Sequence, residues 1–213
     1  MNKLKLDVDY TLYLVTDQTL MSTPDLYSAV EQAILGGCTM VQLREKDCAS
    51  LDFYNMAREI KALTDSHNIP LIINDRIDIA LSVNASGVHI GQSDIPASVA
   101  RKLIGDKMLL GVSAFTVEEA EKAYKDGADY LGIGAMFPTG TKSDAVYVTL
   151  AELEKIRQTV QLPIVAIGGI NKHNAAILKS AGVDGLAVVS AIVSQPDIKK
   201  AAEEIKGIFQ RGK

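Results

Sequence analysis

The chain has 213 residues, 22 Lys and Arg against 26 Asp and Glu, and a formal charge of −4, with 47% hydrophobic and 23% charged residues. That balance excludes disordered, fibrous and collagen-like classes, and the length suits one domain, 1–213, or a single larger α/β barrel. The net charge offers no general attraction for nucleic acid or anionic membrane, although a locally basic pocket for a phosphorylated small molecule is compatible with it.

The first strand candidate is Thr11–Asp17, followed by helical spacing over 24–36. The alternation continues with strand Met40–Glu45 and helix 50–67, strand Pro70–Asp75 and helix 76–84, and strand Gly87–Gly91 and helix 95–104. Strand Met108–Ala114 leads to helix 116–126, Ala128–Ala135 to 149–160, Pro163–Gly169 to 171–181, and Gly185–Ala191 to 196–209. Several strands are apolar on both faces, as a parallel sheet covered by helices requires. Pro24, Pro96 and Pro196 fit first helical turns, while Thr116-Val-Glu-Glu119 and Thr149-Leu-Ala-Glu152 read as capping boxes. Leu35-Gly-Gly37, Lys125-Asp-Gly-Ala128 and Ser180-Ala-Gly182 read as helix ends needing a left-handed residue. Eight βα units predict an α/β fold, a (β/α)8 TIM barrel; an open doubly wound sheet is the rival. Against the rival, Gly132-Ile-Gly134 lacks the third glycine of a dinucleotide fingerprint.

Cys38 and Cys48 form no CxxC, and no histidines sit at zinc spacing, so neither a disulfide framework nor a zinc site is indicated. The N-terminus lacks the apolar region of a signal peptide, and no stretch reaches about 18 uncharged apolar residues. The expectation is a soluble protein of the reducing cytoplasm, without membrane or nucleic-acid partners.

In a TIM barrel, polar residues at the carboxyl ends of strands carry the chemistry. The period of two puts Gln42, Arg44 and Lys46 on one side of the second strand, where two cations would want an anion; a solvated rim cluster is the alternative. Neighbouring strand ends lie about 4.8 Å apart, so Asp75 and Asp94 could share one hard cation. Alternatively, Asp94 simply caps the helix near Pro96. His89 could face the mouth and bond a ligand heterocycle, or be a satisfied core histidine. The segment Thr139-Gly-Thr141-Lys142-Ser-Asp144 suits a loop folding over a phosphate, and also an ordinary surface loop. Gly169 and Ser190, after the last two strands, stand where this fold often holds phosphate with backbone N–H groups; a tight packing turn would equally require the glycine. Two anion sites at one mouth suggest two phosphorylated substrates and a magnesium-dependent enzyme.

The order of motifs is more specific than any one of them: Tyr13-Leu-Val-Thr-Asp17, Val41-Gln-Leu-Arg-Glu-Lys46, Ile73-Asn-Asp75, Gly87-Val-His-Ile-Gly-Gln92, Gly111-Val-Ser113, Phe137-Pro-Thr-Gly-Thr-Lys142, Ala166-Ile-Gly-Gly-Ile170 and Val188-Val-Ser190. From about residue 11 to residue 192 the chain resembles the thiamine phosphate synthase family. The resemblance implies coupling of 4-amino-2-methyl-5-hydroxymethylpyrimidine diphosphate to 4-methyl-5-(2-phosphoethyl)thiazole, with Mg²⁺ as cofactor and release of diphosphate by a dissociative path. It implies that Gln42, Arg44, Lys46 and Asn74 contact the pyrimidine diphosphate, that Asp75 and Asp94 bind metal, and that Ser113 and Lys142 bind diphosphate. Thr139 and Thr141 would hold the thiazole phosphate from the lid side, with Gly169, Val189 and Ser190 cupping it. Homo-oligomerisation is left open. Arg76, Ala135-Met136 and Phe115 depart from the family pattern as we read it: the first stands where another acid is common, the pair where a proline is common, and Phe115 where a polar residue or histidine often stands. The rivals are a thiazole tautomerase, which would need a general base, and a silent thiazole-phosphate binding protein.

Overall fold

A computed structural model describes residues 7–140 and 146–212. Its strands are β1 (Leu12–Val15), β2 (Met40–Leu43), β3 (Leu71–Asn74), β4 (Gly87–Ile90), β5 (Leu109–Ala114), β6 (Tyr130–Ile133), β7 (Ile164–Ile167) and β8 (Gly185–Val188). Each pairs in parallel with its sequence neighbours, and β8 returns to β1 through Leu12 opposite Leu186, so the sheet closes in the order β1 to β8. The expected (β/α)8 barrel is the observed fold.

The helices are α1 (Leu26–Leu35), α2 (Ser50–Ser66), α3 (Ile77–Ser82), α4 (Ala97–Ile104), α5 (Val117–Lys125), α6 (Leu150–Thr159), α7 (Ala175–Ser180), α8 (Ser190–Val193) and α9 (Ile198–Arg211). Both expected capping hydroxyls act: Thr116 accepts from the Glu119 N–H and Thr149 from the Glu152 N–H. Gly37, Gly127 and Gly182 take the left-handed conformation that a helix end requires before the chain turns into a strand. The prolines are displaced from their expected positions. Pro96 is the N-cap of α4, and Pro24 and Pro196 precede the capping residues Asp25 and Asp197, whose carboxylates satisfy the first turns. Among the described residues one α-helix is additional: α8, four residues long, leaves β8 directly and precedes the long α9.

The strand period sorts side chains into two sets. Leu14, Val41, Leu43, Ile73, Leu131 and Ile164 pack outward against the helices in the larger core. Tyr13, Met40, Ile72, Leu109, Tyr130, Val165 and Ala187 fill the barrel interior. At the amino-terminal face, Arg101 of α4 bonds the Asp129 carboxylate, which also accepts the Leu110 N–H. Arg157 of α6 bonds Asp184, which accepts the Ile164 N–H, in the same construction two strands on. These clamps tie helices to strand starts and leave the opposite face for the site.

Candidate active site

At the carboxyl face lies a cavity of about 390 Å³. Every strand contributes to it directly or through the loop that follows, because strands this short end one or two residues before the mouth. Gln42 is the last inward residue of β2, whereas Arg44 and Lys46 lie beyond the strand rather than on it. The inward reading of their side chains nevertheless holds, since both line the cavity.

Each cation has a carboxylate. Arg44 Nη1 is 3.2 Å from Asp17 Oδ2, and Lys46 Nζ is 2.7 Å from Asp75 Oδ2. Asp75 itself is held at φ 61°, in the left-handed region that aspartate tolerates better than most residues. Its N–H bonds the carbonyl of His89 on the adjacent strand. This bend turns the carboxylate into the mouth beside Lys46. Asp94 does not cap α4; its Oδ2 accepts the Gly91 N–H at 2.7 Å. Burial raises its proton affinity, opposed by that N–H and reinforced by the Asp75 carboxylate within hydrogen-bonding reach. Two converging carboxylates form a hard oxygen donor set of the kind a small divalent cation takes, so the residues fit magnesium. Among the described residues no group of three or more His, Cys, Asp or Glu side chains gathers to hold a metal, so waters or substrate oxygens would complete such a sphere.

The cavity floor is a chain of hydrogen bonds. Gln42 Nε2 donates to the Tyr13 hydroxyl at 2.8 Å, the Tyr13 and Tyr130 hydroxyls are 2.9 Å apart, Tyr130 Oη is 3.1 Å from His89 Nδ1, and His89 Nε2 is 3.0 Å from Ser113 Oγ. Burial raises the proton affinity of both tyrosines above the ordinary phenol range, so they stay neutral. It pushes His89 down to about 4, outweighing the upward pull of Asp75, so the imidazole is uncharged at neutral pH. With both ring nitrogens bonded, His89 is a satisfied histidine that also faces the ligand space. Gly111 and Gly132 make this possible. A Cβ on Gly111 would lie 2.2 Å from the Tyr130 ring, and one on Gly132 would lie 2.9 Å from the His89 ring.

Across the cavity, Gly169 at φ 66° brings its backbone against the carbonyls of Phe137 and Pro138, an approach a side chain would block. Val189 and Ser190 open α8, whose first N–H groups have no acceptor within the helix. Together these residues line a neutral wall opposite the charged one. Asn74, Ser113 and Thr139 also line the cavity; Thr141 and Lys142 lie outside the described residues.

The departures separate by position. Arg76 binds Asp78 and Ser50 through its guanidinium and does not line the cavity. Ala135 and Met136 are buried, with the Met136 N–H on the Ile167 carbonyl, so the start of the loop after β6 is pinned to β7. Phe115 lines the cavity, presenting an apolar surface there. The sequence reading assigned no role to Tyr13, Tyr130 or Asp17. Tyr13 and Tyr130 carry a polar tip inside otherwise apolar strands, which is the signal that could have found them. Asp17 stands 27 positions from its partner Arg44, and no local pattern reveals such a pair.

A closed (β/α)8 barrel whose polar side chains converge on one cavity at the carboxyl face is the architecture of an enzyme acting on small molecules. The sequence profile of the family described as thiamine monophosphate synthase matches residues 12–192. The thiamine-phosphate synthase of Clostridium beijerinckii is 61% identical over 206 residues, covering 97% of this chain and 99% of that one, and the enzyme of Ruminiclostridium cellulolyticum is 60% identical over 97% and 98%. The solved thiamine phosphate pyrophosphorylase of Pyrococcus furiosus superposes with a TM-score of 0.88 at 40% identity, covering 95% of this chain and 96% of that one. The chain belongs to the thiamine monophosphate synthase family and is a transferase of that class.

Proposed function

We propose that the chain joins 4-amino-2-methyl-5-hydroxymethylpyrimidine diphosphate to 4-methyl-5-(2-phosphoethyl)thiazole, giving thiamine monophosphate and diphosphate in the cytoplasm. The observation that carries this reading is the two-sided cavity: Arg44, Lys46, Asp75, Asp94 and Ser113 on one wall, Gly169, Val189 and Ser190 on the other. One wall suits a diphosphate with its metal, the other a single phosphate bound through backbone N–H groups.

In the proposed reaction the bond between the pyrimidine methylene carbon and the diphosphate oxygen breaks, and its electron pair leaves with the diphosphate. The thiazole nitrogen lone pair then forms the new C–N bond, so no base has to remove a proton. Asp75 and Asp94 would hold Mg²⁺, which when bound neutralises charge on the leaving diphosphate. Arg44, Lys46, Ser113 and Lys142 bind the same group. Gln42 and Asn74, with His89 on the floor, orient the pyrimidine, while Thr139 and Thr141 would hold the thiazole phosphate. The tautomerase alternative lacks support at His89, whose ring nitrogens are both engaged.

The test mixes protein, both substrates and Mg²⁺ and follows thiamine phosphate and diphosphate, with EDTA as control. Equal, metal-dependent appearance of the two is expected. Asp75→Ala should lose most turnover while still binding the thiazole phosphate. Thiazole-phosphate binding without coupling in the wild-type protein would overturn the reading.

A further inference from the structure

The hydrogen bonds of the cavity floor have a direction, and counting donors gives it. Gln42 Nε2 supplies a proton to the Tyr13 oxygen. The Tyr13 hydroxyl proton then has one remaining acceptor at hydrogen-bonding distance, the Tyr130 oxygen 2.9 Å away. Tyr130 in turn directs its own proton to His89 Nδ1, which fixes the imidazole as the tautomer protonated on Nε2. That Nε2–H donates to Ser113 Oγ at 3.0 Å. Having accepted this bond, the Ser113 hydroxyl keeps its own proton for the cavity. Run the other way, the chain leaves the buried Tyr13 with two incoming protons and no acceptor for its own, an arrangement a buried hydroxyl disfavours. No buried side-chain nitrogen or oxygen among the described residues lacks a partner.

We propose that Tyr130 is a positioning residue that, acting through His89, fixes the Ser113 hydroxyl as a hydrogen-bond donor aimed at the anionic end of the ligand. Tyr130 lies at the centre of the relay, bridging Tyr13 and His89, and the space it occupies is kept open by Gly111. A serine presenting lone pairs would repel a diphosphate oxygen; one presenting its proton stabilises charge as it develops there. This assignment of the anion to Ser113 rests on the diphosphate reading above, whereas the direction of the relay does not.

The first test therefore needs no substrate. In ¹⁵N-histidine-labelled protein at neutral pH, His89 should show Nε2 as the protonated, pyrrole-type nitrogen and Nδ1 as the pyridine-type one. Tyr130→Phe removes the hydroxyl and keeps the ring, and should shift His89 to a mixture of tautomers. The second test is kinetic. Tyr130→Phe should lower kcat by about 10- to 100-fold with little change in the KM for the thiazole phosphate. In a Ser113→Ala background the same change should cost almost nothing, because the hydroxyl it orients is gone. A protonated Nδ1 in the wild type, or an equal loss with and without Ser113, would overturn the proposal. The expected tautomer in a protein that fails to couple the substrates would instead sink the diphosphate reading and leave the relay standing.

Discussion

At the scale of single residues, His89 shows how one side chain can be both packed and functional. Its folded form resists protonation down to about 4, against an ordinary value of 6.5, mainly because of burial. The unfolded chain takes up a proton as pH falls through 6.5, and the folded one does so only near 4. Stability from this group is therefore complete above about pH 6.5 and lost progressively as pH drops toward 4, by at most about 3 kcal/mol. Urea midpoints measured between pH 7 and pH 4.5 should fall less steeply for His89→Gln than for the wild type. Equal slopes would show that the imidazole does not drive the acid sensitivity. The ion pairs at the mouth behave differently. Lys46 is half-exposed, so its bond to Asp75 adds little stability and leaves both groups available to a ligand.

At the scale of elements, the two clamps at the amino-terminal face have the same design and unequal burial. The Arg101 and Asp129 side chains are 13% and 10% exposed, Arg157 and Asp184 24% and 46%. Removing either carboxylate frees a backbone N–H, of Leu110 or of Ile164, but only in the first pair does it also strand a charge away from water. Asp129→Ala should cost about 3 kcal/mol, and Asp184→Ala about 1 kcal/mol. Chemical denaturation measures both, and turnover per folded molecule should be unchanged, because both clamps lie at the end opposite the cavity. Similar losses for the two would show that burial does not set their strength.

At the scale of the whole molecule, the barrel was legible because parallel strands covered on both faces must be apolar throughout, and because glycine ends and threonine caps punctuate the helices. Strand ends were overrun by up to three residues, as at Gly185–Val188, since polar residues at the mouth continue the alternation beyond the last ladder bond. The helix α8 escaped detection because four residues carry no periodicity. The cavity-lining residues at motif positions were legible in order along the chain. What joins them was not: the Arg44–Asp17 pair and the Tyr13–Tyr130 contact span 27 and 117 positions and exist only once the ring is closed.

That closure depends on a close approach beside β1. A Cβ on Gly185 would meet the Tyr10 carbonyl at 1.7 Å, while the neighbouring Leu186 N–H bonds the Thr11 carbonyl. A ring of strands has no first or last member, so no row of backbone donors and acceptors is offered to another molecule. Prising β8 from β1 would create two such rows at once, on hydrophobic strands with strong sheet propensity. Gly185→Val should therefore be punished through self-association more than through lost stability alone. Light scattering during gentle heating should rise at temperatures where the wild type stays clear. If the variant unfolded at lower temperature with no rise in scattering, the seam would matter only for stability, and closure would not be what keeps this chain from polymerising with its own copies.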